Sequence, residues 1–320
     1  MTIIEYSNAP DLQFWQGIRY LSDNFYIMCG TNQNSKGIFY IGPLLNYNNQ
    51  NNYEINYPGS NITSVYGPDY VGEGIYRLVG SYRKDSDEII YGFFFQGIIE
   101  NFNNPINYKT ISIGASYTYV HSTMNNILVG NYDEFNLGPI SAFLMIIDIG
   151  KVIKISYPGS TSNTVYGIWY NDDSTYTLCG GYSTDSIPGN EVYNNFQPKP
   201  IGKAYIVNYD IDKNEFSNWT TFEYPYSKYN LLTHFQGIES SSKNVYQLVS
   251  DTIDSEGIIA SFIEIYKNKC NNFELKKWID YKYPLPKTIT SSNSVANNSV
   301  VGTYIDEMKR YIAFQANILK

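Results

Sequence analysis

The chain has 320 residues, 43% hydrophobic and 16% charged, which is enough apolar material for a large core and excludes wholesale disorder. A net charge of −8 and a pI of about 4.9 repel phosphate backbones, so nucleic acid is not an expected partner. No run of eighteen apolar residues suggests a membrane helix, and MTIIEYSNAPDLQFW at the start lacks the marks of a signal peptide.

Tyrosine is the unusual residue, at 33 copies, and aromatics reach 17%, which favours half-buried strands. The richness in Asn, Ile, Tyr and Lys also fits an AT-rich genome. Three widely spaced cysteines, Cys29, Cys179 and Cys270, argue against a disulfide framework. The expected location is therefore the cytoplasm, or a virion assembled inside a cell.

In chain order, residues 2–10 (TIIEYSNAP) read as a solitary strand. The first unit, 14–60, follows with FWQGI, MCGTN, GIFYIGPL and YEINYPG. The second, 64–114, has VYGPD, LVGSY, IIYGFFFQG and YKTISIG. The third, 117–159, replaces the first glycine motif with YVHSTMNN and continues LVGNY, SAFLMIIDIG, KVIKISYPG. The fourth, 164–225, carries VYGIW, LCGGY, KAYIVNYDI and WTTFEYP, with a long insertion at 183–199. The fifth, 232–284, has FQGIE, the degenerate LVSDT, IIASFIEIY and WIDYKYP. The sixth, 290–320, has SSNSVANN, VVGTY and YIAFQANIL, and stops one strand short. Gly30, Gly80, Gly130 and Gly180 recur every fifty residues, and Gly302 is a fifth copy, with Ser250 in the equivalent place.

Each unit reads as four short strands separated by turns, the length of a propeller blade. The Asn125-Asn126 and Asn297-Asn298 pairs suit tight hairpins that need positive φ. If the first strand completes the sixth unit, no blade lacks a strand. The expectation is one all-β domain, 1–320, folded as a six-bladed β-propeller of four-stranded blades and closed by its N-terminal strand.

The segments YPGSTSNTVYGIWYNDDSTYTLCGGYS (157–183), SVYGPDYVGEGIYRLVGSYR (64–83) and HSTMNNILVGNYD (121–133) resemble a family of propeller-like repeat proteins found in bacteria and large DNA viruses. The resemblance implies the fold and carries no activity with it, the family being uncharacterised.

Chemistry is harder to find. Cys29 and Cys179 fill a slot held elsewhere by valine and read as buried hydrophobes. His121 stands where other units have Gln16, Tyr66, Tyr166, Gln236 and Asn293. Those six positions on the innermost strands predict a polar-aromatic ring on the axis, with His121 its one group titrating near neutrality. His234 reads as a loop or strand-edge residue. The acidic turns at 85–88 and 210–215 lack the glycine and the distal glutamate of a calcium loop. The innermost-strand positions supply no carboxylate; in loops, Asp69, Asp133, Asp172 and Asp251 are candidates by location only. No metal, cofactor or catalytic set is expected. The reading leans away from an enzyme and towards a scaffold for a protein or carbohydrate partner, using aromatic and Asn-rich loops and the channel mouth. The alternative is a hydrolase or lyase at that mouth, pairing His121 with a loop carboxylate.

Overall fold

The computed structural model describes residues 3–85, 87–135, 139–184, 202–226, 232–254 and 257–319. Most of the fourth unit's insertion lies outside them. Among the described residues twenty-four strands form six four-stranded antiparallel sheets, a six-bladed β-propeller. Blade 1 holds β2 (Leu12–Ser22), β3 (Phe25–Asn32), β4 (Gly37–Pro43) and β5 (Asn52–Ile55), from the axis outward. Blade 2 holds β6 (Ile62–Gly72), β7 (Ile75–Arg83), β8 (Tyr91–Gly97) and β9 (Tyr108–Ile111). Blade 3 holds β10 (Thr118–Met124), β11 (Ile127–Asp133), β12 (Ile140–Ile146) and β13 (Lys151–Ile155). Blade 4 holds β14 (Ser162–Tyr170), β15 (Thr175–Ser183), β16 (Lys203–Asp210) and β17 (Glu215–Phe222). Blade 5 holds β18 (Leu232–Ser242), β19 (Val245–Asp254), β20 (Gly257–Lys267) and β21 (Phe273–Tyr281).

Blade 6 has β22 (Ile289–Ala296), β23 (Ser299–Ile305) and β24 (Tyr311–Leu319), and its outer strand is β1 (Ile3–Ala9). β1 runs antiparallel to β24 from Ile3 opposite Leu319 to Ala9 opposite Ala313, which closes the ring. This satisfies the edge of β24 and leaves no blade short of a strand.

Apolar burial is organised by seam. Six clusters each straddle two adjoining blades: Ile27, Phe39, Leu78 and Phe93 join blades 1 and 2, for example, and Trp15, Met28, Ala296 and Val301 join blades 6 and 1. The abundant tyrosine has a matching use. Tyr57 stacks on Tyr82 at 3.6 Å, Tyr157 on Tyr182 at 3.8 Å and Tyr283 on Tyr304 at 3.9 Å. In each pair the last strand's aromatic-proline tyrosine meets the VG-motif tyrosine of the next blade. These stacks occur at alternate seams, which gives the ring a threefold rhythm beneath its six blades.

The two recurrent glycines answer two close approaches. A Cβ on Gly30, Gly80, Gly130, Gly180 or Gly302 would lie 1.9–2.1 Å from a carbonyl oxygen of its own blade's innermost strand. A Cβ on Gly17 would lie 2.2 Å from the Tyr66 carbonyl of the next blade. The first set lets each hairpin close over a bulge, and the second lets the innermost strands converge on the axis.

The inner hairpins turn on one face, here the hairpin face, and the chain passes between blades on the other, the connection face. Many asparagines of the hairpin face hold left-handed backbone, including Asn24, Asn125, Asn214, Asn244 and Asn271. Asn297 and Asn298 both do so, as the tight turn requires, whereas at the 125–126 turn only Asn125 does. Turn geometry thus accounts for many of these asparagines.

Candidate functional site

Every innermost strand carries a β-bulge at the same place. The register slips between Trp15 and Gly17, Val65 and Gly67, Val120 and Ser122, Val165 and Gly167, Phe235 and Gly237, and Ser292 and Ser294. The six extra residues are Gln16, Tyr66, His121, Tyr166, Gln236 and Asn293. A bulge frees its residue from the ladder and re-aims its side chain. All six line one axial cavity of about 80 Å³, so the structure brings the predicted ring together.

The ring is neutral. His121 sits among Tyr66, Tyr119 and Tyr166, with ring centroids at 5.2, 6.1 and 4.7 Å. Burial lowers its pKa to about 3, so it does not titrate near neutrality, contrary to the sequence expectation. Tyr66 and Tyr166 are raised to about 12, also mainly by burial. The Tyr66 hydroxyl pairs with Ser81 Oγ at 2.8 Å, and Asn293 Nδ2 donates to the Trp15 carbonyl. Among the described residues the side chains of Gln16, His121 and Gln236 make no hydrogen bond to protein.

Sequence reasoning missed a second axial layer, two residues beyond the motif glycine. Its members are Arg19, Asp69, Trp169 and Glu239; the equivalent Met124 and Ala296 of blades 3 and 6 follow serines and pack into the seams. Arg19, only 8% exposed, reaches from blade 1 across the axis. Its Nη2 donates to Ser122 Oγ of blade 3 and the Ile168 carbonyl of blade 4, both at 3.3 Å, and Nη1 to its neighbour Ile18 O at 3.4 Å. Its Cζ lies 6.0 Å from the Trp169 ring centroid. Arg19 also lines the cavity, closing the channel on the side of the hairpin face.

Asp69 and Glu239 therefore correct the expectation that the innermost strands supply no carboxylate. Asp69 accepts the Asn125 N–H at 3.2 Å, and Glu239 accepts that of Asn297. Burial raises both, Glu239 to about 7, against the pull of Arg19. The other acids named from sequence lie elsewhere. Asp133 accepts from the Ser116 and Tyr117 amides and from Ser116 Oγ, locking the blade 2 to blade 3 connection. Asp172 sits in the β14–β15 turn with φ +63°, across the Arg19 layer from His121. Asp251 spans the blade 5–6 seam, accepting from Ser292 N at 2.7 Å and Ser291 Oγ at 2.5 Å, and burial raises it to about 7. His121 thus has no carboxylate among its partners.

His234 is another correction. Expected in a loop or at a strand edge, it lies within innermost strand β18, packs on Tyr166 at 5.7 Å, and is lowered by burial to about 4. Cys29 and Cys179 are buried and free, with burial raising both thiols, while Cys270 is exposed in its turn.

The hairpin face carries a second feature. Tyr20, Phe25, Tyr70 and Val71 are 39%, 49%, 43% and 46% exposed on blades 1 and 2. Tyr20 leans on Tyr26 and Tyr70 on Tyr76, each at 5.3 Å, so the exposed rings are held by buried ones. Trp15, by contrast, is fully buried and donates from Nε1 to Gln315 Oε1 at 3.1 Å.

No family model and no curated protein matches the chain. Among solved structures, AofleA from Arthrobotrys oligospora is similar at 10% identity with a TM-score of 0.52, over 98% of this chain and 85% of that one. The fungal lectin from Aleuria aurantia, described as a six-bladed β-propeller with a novel fucose recognition mode, is 10% identical with a TM-score of 0.48, over 96% and 93%. An ulvan lyase bound to a sulfated saccharide is 8% identical with a TM-score of 0.47, over 97% and 86%. At these identities the likeness is one of fold. No helix among the described residues is long and apolar enough to cross a membrane.

Proposed function

We propose that this propeller is a non-catalytic scaffold that binds a glycan or protein partner through the hairpin face of blades 1 and 2. The observation that carries this reading is the row of Tyr20, Phe25, Tyr70 and Val71, aromatic and apolar side chains presented to solvent yet braced from below. Tyrosine gives large contact area at low entropic cost and keeps a hydroxyl for hydrogen bonding. The alternative, hydrolysis or elimination at the channel mouth, has less support, because neutral His121 lies among tyrosines rather than beside an acid.

The test is a glycan array and an affinity capture with the intact chain and with a triple variant, Tyr20→Ser, Phe25→Ser and Tyr70→Ser. The variant should keep the parent's thermal midpoint within a few degrees, since solvent-facing positions contribute little to stability, and lose the partner. A partner retained in full by the variant, or turnover of a glycan by the purified parent that His121→Ala abolishes, would rule the scaffold reading out.

A further inference from the structure

Among the described residues Arg19 is the one charged side chain lining the axial cavity. It makes no ion pair among the described residues. Its protein contacts are three hydrogen bonds of 3.3–3.4 Å, at the long end of the range, and its Nε is buried without any partner. A buried cation so placed is under-compensated. Asp69 and Glu239, in the same layer, attract the guanidinium without forming an ion pair with it, and their carboxylates accept backbone N–H groups of the hairpin turns.

On the other side of the guanidinium, Gln16, His121 and Gln236 line the cavity with amide and imidazole groups that find no hydrogen-bond partner among the described residues. These are donors as well as acceptors, arranged around the cavity that Arg19 also lines. The volume, about 80 Å³, exceeds what one water needs several-fold. We infer that the axial cavity is a binding site for a small planar oxyanion, a carboxylate above all, held by the Arg19 guanidinium and oriented by the amides of Gln16 and Gln236. A carboxylate offers one oxygen to the guanidinium and the other to a glutamine amide, where a monatomic anion offers a single centre. The inference is independent of the hairpin-face reading, since the two sites are separated by the Arg19 layer.

The probe is acetate, with nitrate as the inorganic planar counterpart and chloride as the background salt at constant ionic strength. Binding to the full chain is followed by saturation-transfer NMR of the small anion and by the thermal midpoint. A four-heavy-atom ligand binds no tighter than roughly 40 µM, so titration extends through the millimolar range. Saturable acetate binding is expected, weakened at least tenfold in Arg19→Gln. In Gln236→Leu, which keeps the guanidinium but places an apolar side chain in the cavity, the affinity should fall as well. Nitrate binding alongside acetate identifies a general planar-oxyanion site, and acetate alone a carboxylate site. The proposal fails if neither anion gives a saturable response over chloride. It also fails if a folded Arg19→Gln or Gln236→Leu binds acetate as the parent does. Should Arg19→Gln not fold, Gln236→Leu decides. Partner capture on the hairpin face is read separately, so either site can fail alone.

Discussion

Replacing Asp251 by Asn is expected to make the protein more stable at pH 8 and nearly neutral in effect at pH 4. Asp251 is 7% exposed at the blade 5–6 seam, and burial raises its pKa from 3.8 to about 7 despite bonds from Ser291 and Ser292. The folded protein therefore keeps this proton up to about pH 7, while the unfolded chain releases it near pH 3.8. Between those values the folded state binds more protons, so this group's stability is complete below pH 4, falls as pH rises, and is lost above pH 7. At about 1.4 kcal/mol per pH unit, ionised Asp251 costs the fold about 4 kcal/mol, of which about 3 kcal/mol is incurred between pH 5 and pH 8. An asparagine keeps the geometry, its oxygen accepting from Ser292 N–H and its amide donating to Ser291 Oγ, and it carries no charge. Urea unfolding of parent and Asp251→Asn at both pH values isolates the residue, because the repulsion of a net −8 chain is common to both at high pH. The gap between the two proteins should widen by about 4 kcal/mol in the variant's favour from pH 4 to pH 8. A gap that stays constant within about 0.5 kcal/mol would refute the argument that this carboxylate is buried and under-solvated.

Two other outcomes follow from the backbone. In Gly80→Ala the new Cβ would lie 1.9 Å from the Ser64 carbonyl oxygen, on a paired strand with no room to retreat, so the loss should exceed about 3 kcal/mol in urea unfolding. Gly59→Ala, at φ +76° with nothing within 4 Å of the Cβ, meets only the left-handed backbone cost of about 1–2 kcal/mol and serves as the control; equal losses would contradict the close-approach explanation. Deleting residues 2–10 removes the seven-residue partner of β24 and the packing of Tyr6 on Tyr283 and Phe314, and near-ultraviolet circular dichroism should show loss of the cooperative fold; an unchanged melting transition would count against ring closure by β1.

The fold was legible because its constraints repeat. A glycine that must sit under a carbonyl, and a strand that must find an edge, leave marks at fixed intervals. The axial ring was legible for the same reason, since one unusual residue stands before each motif position: Gln16, Tyr66, His121, Tyr166, Gln236, Asn293. The Arg19 layer escaped notice although its signal was present. Strand alternation from Gly17 reaches Arg19, and from Gly67 and Gly237 it reaches Asp69 and Glu239. Those residues differ in type from blade to blade, so no repeated letter draws attention to them. The protonation of His121 was misjudged because sequence cannot show that its neighbours are tyrosines rather than water. The ring of His234 reaches Tyr166 inside the channel wall, a contact across blades that its position in the sequence does not show.

Because Ile3 and Leu319 stand opposite each other in register, any polypeptide joined ahead of one or behind the other leaves the molecule at the same spot, where blade 6 would otherwise make its outermost turn. That spot is on the side where Tyr20, Phe25 and Tyr70 look outward. A purification tag or fluorescent fusion at either terminus would crowd the very surface under test. Immobilisation through a cysteine introduced on the opposite side would leave it clear, provided solvent-facing Cys270 is first replaced.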